Sequence, residues 1–468
     1  MSRRDKGIPQ GRVRRTAPIA ALTARTAGEA VVVALRRKAT GTEDPDFHAR
    51  SAERYAELLG RSKGALMKAG QLLSFTALGP TVPSEFATAY QSALSRLRAD
   101  VPPMPEALVR PVLEQELGRR TEAAFAQFDW TPLAAASIGQ VHAGRLLDGR
   151  RVAVKVQYPG VADAIRADLR NTELLATFMS LLAGLSPRRV SLDVRGVADE
   201  LGERIMEELD YRTEAAYQAE FAGYYAGHPF INVPTVITEL SGECVLTQEL
   251  AEGRSWEEAL QANVECRNRW GEVLCRFVYG SQSRYGVFHA DPHPGNYLFH
   301  DDGSITALDF GCVKRMSREQ LDQVYAILRA ELAGDEYGTW RASVDAGFYA
   351  ADGPVTPREV YEYWHDGDEM YWGEQPFTVT PEYAATAIEQ RYSPTGPSGH
   401  AYRNSTAPGE LATLVRIDTG LVSLLGALRA TNDWKSMIAE TIRGAEPTTE
   451  LGRREAEFLA GREPAGRV

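Results

Sequence analysis

The stretch that most constrains this chain runs from Phe288 to Gly311, FHADPHPGNYLFHDDGSITALDFG. It sets His289-Ala290-Asp291 first, Asn296 five positions after that aspartate, and Asp309-Phe310-Gly311 at the far end. Between them, YLFHDDGSITALDF reads as two short apolar strands joined by an Asp-Asp-Gly turn, which predicts a β-hairpin. A hairpin here carries Asp291, Asn296 and Asp309 to one end and converges oxygen donors on a small volume. Hard donors of this kind suit Mg²⁺ or Mn²⁺, and a divalent ion beside a carboxylate is what phosphoryl transfer from a nucleotide requires. An isolated Asp-Phe-Gly says little. The same tripeptide at this distance after H-x-D-x-x-x-x-N says a great deal.

The composition narrows the remaining classes. A chain of 468 residues has room for two or three packed units. A net charge of -11 argues against a general nucleic-acid binder, whose affinity rests on Lys and Arg neutralising phosphates. The four cysteines (Cys244, Cys266, Cys275 and Cys312) lack the close-paired spacing of a zinc or disulfide framework, and they read as thiols of a reducing cytoplasm. No window approaches the roughly 20 apolar residues of a membrane span. The apolar run Ala30–Leu35 is too short for a signal-peptide core. The expected location is cytoplasmic. Residues 1–45 are basic, which fits either a tail running into a surface helix or a peripheral contact with anionic lipid at the inner face of a membrane. The oligomeric state is open.

From Ser51 to Leu97 apolar residues recur at helical spacing, with Lys68-Ala69-Gly70-Gln71 inside the run. Pro102, Pro103 and Pro105 mark a linker, and Glu106 to Phe128 is helical again. Next come strand, Asp-Gly turn and strand, Ile138 to Leu146 and Arg151 to Tyr158. In the second strand Lys155 faces away from Val152, Val154 and Val156. A long amphipathic helix carries Glu208-Leu209-Asp210 and Glu214 and runs on to Phe221. Strand-like runs Asn232–Leu240 and Cys244–Leu250 follow, then helix from Trp256 to Tyr285. Past Gly311, residues 317–331 and 410–445 are helical. The segment 335–400 is acidic and aromatic, with Trp364 and Trp372 reading either as core or as ring faces for a cationic acceptor.

A strand lysine, a helix glutamate, an H-x-D-x-x-x-x-N loop and a DFG, in that order, match the parts list of a kinase fold. Lys155 would neutralise the α and β phosphates, with Glu214 holding it by an ion pair. Asp291 would orient or deprotonate the acceptor, and Asn296 and Asp309 would hold the metal. The departures are equally informative. In place of G-x-G-x-x-G stands Ala134-Ala135-Ala136-Ser137-Ile138-Gly139, a stiffer loop because alanine disfavours positive φ. After the DFG there is no activation segment and no A-P-E, so a platform for a protein substrate is missing.

These departures make the chain resemble the UbiB/ADCK (AarF-like) family of atypical kinases. The matching segments are K-A-G-Q at 68–71, AAASIGQVHAG at 134–144, VAVKVQYPG at 152–160, the E-x-D motif at 208–210, HADPHPGN at 289–296 and LDFG at 308–311. The resemblance implies an α+β, bilobal protein-kinase-like fold. A K-x-G-Q helical extension would pack over the active site, with extra helices at the C-terminal end. The expected segments are a basic tail (1–45), the extension (46–130), an N-lobe (131–250), a C-lobe (251–345) and a C-terminal helical region (346–468). It further implies a gate in which Lys68, with Gln71, faces Glu208 and Asp210. The nucleotide, ATP or ADP with Mg²⁺ or Mn²⁺, would lie under 134–139 with its base against the hinge at Gln248–Ala251, which includes Glu249. The implied activity is an ATPase or atypical kinase in isoprenoid-quinone or other lipid metabolism. A small-molecule kinase similar to the aminoglycoside and choline kinases, or a nucleotide-binding pseudokinase scaffold, is the alternative.

Overall fold

The computed structural model describes residues 103–136, 138–169, 209–393, 396–406 and 409–462. The chain falls into two compact units, one comprising residues up to Thr213 with Val236–Leu250, the other Glu214–Thr235 with Ala251 onward.

The first unit is built on an antiparallel sheet. Its order is Phe125–Phe128, Gly139–Leu146, Arg151–Gln157, Val245–Glu249, with the short strand Ala134–Ala135 also paired to Gly139–Leu146. The tight turn between the second and third strands needs positive φ, which Gly149 supplies at 93°. Val152, Val154 and Val156 are fully buried, and helix Glu106–Leu117 packs over them through Val109 and Leu113. Each buried valine is worth roughly 1.5–3 kcal/mol in apolar transfer. Pleating therefore turns Lys155 to the opposite face, where it is half-buried.

Three segments depart from the expected pattern. The helix expected over 106–128 stops at Leu117, where Gly118 adopts the left-handed conformation with φ 61°. After one further turn the chain becomes the edge strand Phe125–Phe128. The strand expected over Asn232–Leu240 shrinks to Ile231–Asn232 and a 3-10 turn, Thr238–Leu240. Pro234 stands between them and lacks a ladder donor. The helix expected from Trp256 to Tyr285 is two, Trp256–Leu260 and Val264–Tyr285, because the Asn263 side chain caps the second from the Cys266 N–H at 2.8 Å.

In the second unit, helix Val264–Tyr285 is the spine, burying Trp270, Val273, Leu274 and Phe277 completely. It ends at Gly286 (φ 62°), where an added Cβ would meet the Met316 carbonyl at 2.7 Å. The chain then enters strand Val287–His289, paired antiparallel with Val313–Arg315. The expected hairpin is present as Tyr297–Phe299 and Ile305–Ala307, with Ile231–Asn232 added in parallel at its edge. Its turn is closed by Asp302 accepting from the Ser304 N–H at 2.9 Å and by Gly303 at φ 83°. Helices from Arg318 to Ala460 complete the unit, and Leu421, Leu424, Leu425 and Leu428 of helix Gly409–Leu428 lie in the same core as the spine.

Candidate active site

The hairpin fixes the spacing of the acidic residues. Tyr297 pairs with Ala307, and just beyond that pair the Leu308 N–H donates to the Asn296 carbonyl at 2.9 Å. Asn296 and Asp309 thus leave the same end of the hairpin. The Asn296 amide Nδ2 donates to Asp291 twice, to its carbonyl at 3.0 Å and to its carboxylate Oδ2 at 2.9 Å. The His293 N–H also donates to the Asp291 carbonyl, at 2.7 Å. The Gly311 N–H donates to Asp309 Oδ1 at 2.9 Å and so orients that carboxylate. The buried His289 ring bonds the Asp309 carbonyl through Nε2, tying the two halves of the motif together.

Glu214 joins this group from helix Tyr211–Tyr224. A Cβ built on Gly311 would stand 3.2 Å from Asp309 Oδ1 and 3.7 Å from Glu214 Oε2, so glycine here lets two carboxylates flank the backbone. Behind the loop, burial pushes the Tyr297 phenol pKa up, and the negative charge of Asp291 adds to the shift.

With its Nδ2 committed to Asp291, Asn296 presents Oδ1 as its remaining polar end. Asp309, Asn296 and Asp291 therefore make a set of hard oxygen donors. Among the described residues no three His, Cys, Asp or Glu side chains form a metal cage by themselves. Mg²⁺ asks only one or two carboxylates of a protein and takes its other oxygens from substrate phosphates and water, and Asp309 with the Asn296 amide oxygen is a donor set of that chemistry.

The other expected site residues divide between the units. Lys155, Ala134, Ala135, Ala136, Ile138, Gly139, Asp210 and Glu249 are in the first, and Ala251 opens the second stretch of the other. Lys155 pairs with Val141 and Leu246 in the sheet, and its Nζ sits 4.9 Å from the centroid of the Tyr211 ring. Ala134 and Ala135 are exposed and pair with Val141 and Gln140, while the Ala136 N–H closes a turn onto the Gly139 carbonyl at 2.9 Å. The Ile138 side chain is buried. Gly139 is glycine for a packing reason, since a Cβ would lie 2.2 Å from the Val156 carbonyl oxygen. Asp210 is clasped by Arg212, whose Nε reaches its Oδ1 at 2.9 Å, and this bond holds its carboxyl below the ordinary range. Lys68, Gln71, Ser137 and Glu208 lie outside the described residues.

Motif spacing assigns no role to His289, nor to Gly420 of helix Gly409–Leu428, which packs on Pro292, the residue after Asp291. The available signal was an isolated glycine inside a leucine-rich helical pattern.

Comparison with known proteins places relatives beside this chain. Residues 96–342 match the ABC1 atypical kinase-like domain. The mitochondrial atypical kinase COQ8B of Rattus norvegicus is 31% identical over 352 residues, 74% of this chain and 65% of the rat protein. The mitochondrial atypical kinase COQ8 of Saccharomyces cerevisiae is 31% identical over 297 residues, 63% of this chain and 57% of the yeast protein. The chain thus spans less than two thirds of either relative. Among solved structures, that of Rv3197 from Mycobacterium tuberculosis in complex with erythromycin superposes with a TM-score of 0.61 at 30% identity, covering 91% of this chain and 98% of that one. A kinase-like H-x-D loop and DFG on a two-unit α+β fold, with a family match that covers more than half of the chain and both motifs, place the chain in a definite group: it belongs to the ABC1 atypical kinase-like family, the UbiB/ADCK proteins.

Proposed function

We propose that this protein binds a magnesium nucleotide and transfers or releases its terminal phosphoryl group, as an ATPase or atypical kinase. The observation that carries the reading is the Asp291–Asn296–Asp309 cluster, held by hydrogen bonds of 2.9 to 3.0 Å at the end of one hairpin. In this reading Asn296 and Asp309 hold the metal, and Asp291 orients the nucleophile or accepts its proton. Lys155 neutralises the phosphates and Glu214 holds Lys155. The loop 134–139 covers the nucleotide, with Glu249–Ala251 against its base. When bound, the cation supplies charge neutralisation at the phosphates. Lys68, Gln71, Glu208 and Asp210 form the gate.

The proposed setting is isoprenoid-quinone or related lipid metabolism, which rests on the family resemblance. A peripheral membrane contact through the basic residues 1–45 belongs to the same proposal. Among the described residues no helix is long and apolar enough to cross a bilayer. The rings at 361–372 support the small-molecule kinase alternative poorly. Trp364 is buried with its Nε1 donating to Ser343 at 3.1 Å, and the more exposed Trp372 stacks on His365.

Purified protein mixed with Mg²⁺ and ATP tests the central claim by thermal shift and phosphate release. A rise in melting temperature that needs both components, together with released phosphate, is expected. Neither signal in the wild type overturns the reading. Erythromycin, bound by the mycobacterial relative, belongs in the same shift assay as a separate arm.

A further inference from the structure

The family match stops at residue 342, yet the catalytic loop is seated on an element well beyond it. Helix Gly409–Leu428 approaches the loop so closely that a Cβ added at Gly420 would stand 2.3 Å from Cγ of Pro292, 3.2 Å from its Cβ and 3.5 Å from its Cδ. The helix cannot easily retreat. Ile417 and Leu421 on its neighbouring turns are fully buried in the core, and Gly426 is pressed against helix Pro381–Tyr392 with an added Cβ 2.9 Å from Ala384 Cβ.

The loop has little slack either. Proline fixes its own φ, so displacing the Pro292 ring displaces the peptide that joins it to Asp291. The carbonyl of that peptide already accepts from the His293 N–H at 2.7 Å and from Asn296 Nδ2 at 3.0 Å. A push on Pro292 therefore reaches both Asp291 and Asn296.

We propose that Gly420 is a positioning residue for the catalytic loop: its missing side chain sets where Pro292 rests, and hence where the Asp291 carboxylate and the Asn296 amide stand. Helix Gly409–Leu428 then becomes part of the active site. The C-terminal region then acquires a role in turnover. The catalytic part of this claim rests on the phosphoryl-transfer reading above.

Gly420→Ala tests it, with Gly426→Ala as the control. Both place a methyl group into a tight contact on the same helix, but only the first touches the catalytic loop. Gly420→Ala is expected to lower kcat by on the order of 10 to 10²-fold, the cost of an ångström-scale misplacement, with KM for ATP and the ATP-induced thermal shift little changed. Gly426→Ala is expected to lower the melting temperature while leaving turnover per folded molecule as in the wild type. Removing the obstructing ring in the double variant Pro292→Ala/Gly420→Ala should cost less, in both melting temperature and kcat, than the two single changes summed.

Additive effects on both quantities, or equal loss of turnover in the Gly420 and Gly426 variants, overturn the proposal. An active wild type with an equally fast Gly420→Ala overturns the role of Gly420 alone. A wild type with neither nucleotide shift nor phosphate release overturns the phosphoryl-transfer reading and the catalytic role of Gly420 with it. In that case the melting-temperature cycle still reports whether the Gly420–Pro292 contact exists.

Discussion

The candidate catalytic loop and the arginine cluster around Arg276 both gather polar groups inside the second unit, with half-buried carboxylates in the first and buried charges in the second, but they draw them from the chain differently. His289, Asp291, Asn296 and Asp309 come from one short stretch, and most of their bonds run between a side chain and a nearby backbone group. Arg276 instead joins Glu272 at 2.8 Å, Glu440 at 2.8 Å and Glu455 at 3.1 Å, partners drawn from three helices. Glu455 also takes Arg284 at 2.7 Å. Backbone-anchored groups keep their places when one side chain changes chemistry. A network of side chains facing one another has no such anchor, so losing its central cation leaves several buried anions uncompensated. The first arrangement suits a site and the second a clamp, here one that fixes the last helix to the spine.

The largest expected effect separates the two. Arg276→Ala should cost about 3–5 kcal/mol of unfolding free energy, the usual penalty for stranding buried partners of an ion pair. Denaturant titration measures it. The nucleotide-induced shift of the folded fraction should persist. If Arg276→Ala leaves stability within about 1 kcal/mol of the wild type, the clamp is no more than surface-like pairing.

Asp309→Asn should do the reverse. It keeps the size of the side chain and the acceptor for the Gly311 N–H while removing the charge. Turnover should fall on the order of 10²–10³-fold, comparable to deleting one preorganised electrostatic contact in other active sites. Stability should change little. Full phosphate release by this variant would show that Asp309 is not the metal residue.

The contrast also explains what was legible in the sequence. H-x-D-x-x-x-x-N and DFG could be read because short-range spacing and one turn dictate their convergence. The Lys155 strand could be read because three valines at alternate positions announce its buried face. Arg276 looked like any helix arginine, since nothing local marks Glu440 or Glu455 as its partners. Phe125–Phe128 looked helical because its strand character comes from pairing with Gly139–Leu146, a tertiary contact that overrides local pattern. Gly420 carries no local mark of its role, because its reason is Pro292, far away in the chain.

Acidity provides a third contrast. Burial alone would raise the Glu455 pKa, but the His228 ring 3.5 Å away and the charges of Arg284 and Arg276 outweigh it and hold it at about 2, below its ordinary 4.5. A folded-state pKa that is depressed gives stability present above pH 4.5 and lost as pH falls toward 2. Elsewhere in the same unit, burial pushes Glu331 and Asp368 up to about 7; Arg391 opposes the shift in both, while Asp418 and Glu331 reinforce it at Asp368. His365 also faces Glu331, its Nδ1 hydrogen-bonded to Oε1 at 2.8 Å. Raised values act with the opposite sign. Their contribution is full below the ordinary carboxyl range and is lost as pH rises through about 7. Glu455→Gln should therefore flatten the acid limb of a stability–pH curve, and Glu331→Gln the limb approaching neutrality. Identical curves for Glu331→Gln and the wild type would show that the carboxyl titrates normally.

The smallest effects come from two helix caps, and their difference measures how far the clamp acts as one piece. Ser317 caps helix Arg318–Glu331, accepting from the Gln320 N–H at 3.2 Å, and the Gln320 side chain returns the bond. Ser317→Ala should cost about 1 kcal/mol. Thr449 caps helix Glu450–Ala460 from the Gly452 N–H at 3.0 Å, but its hydroxyl also donates to Glu272 at 2.5 Å and accepts from Arg276 at 2.9 Å. Thr449→Ala removes the same kind of cap together with two contacts to the buried cluster, so it should cost more, about 2 kcal/mol. In an Arg276→Ala background that excess should largely disappear, because the groups the hydroxyl served are already disordered. If the two cap variants cost the same in the wild type, Thr449 is a cap and nothing else, and the arginine cluster is a set of independent pairs.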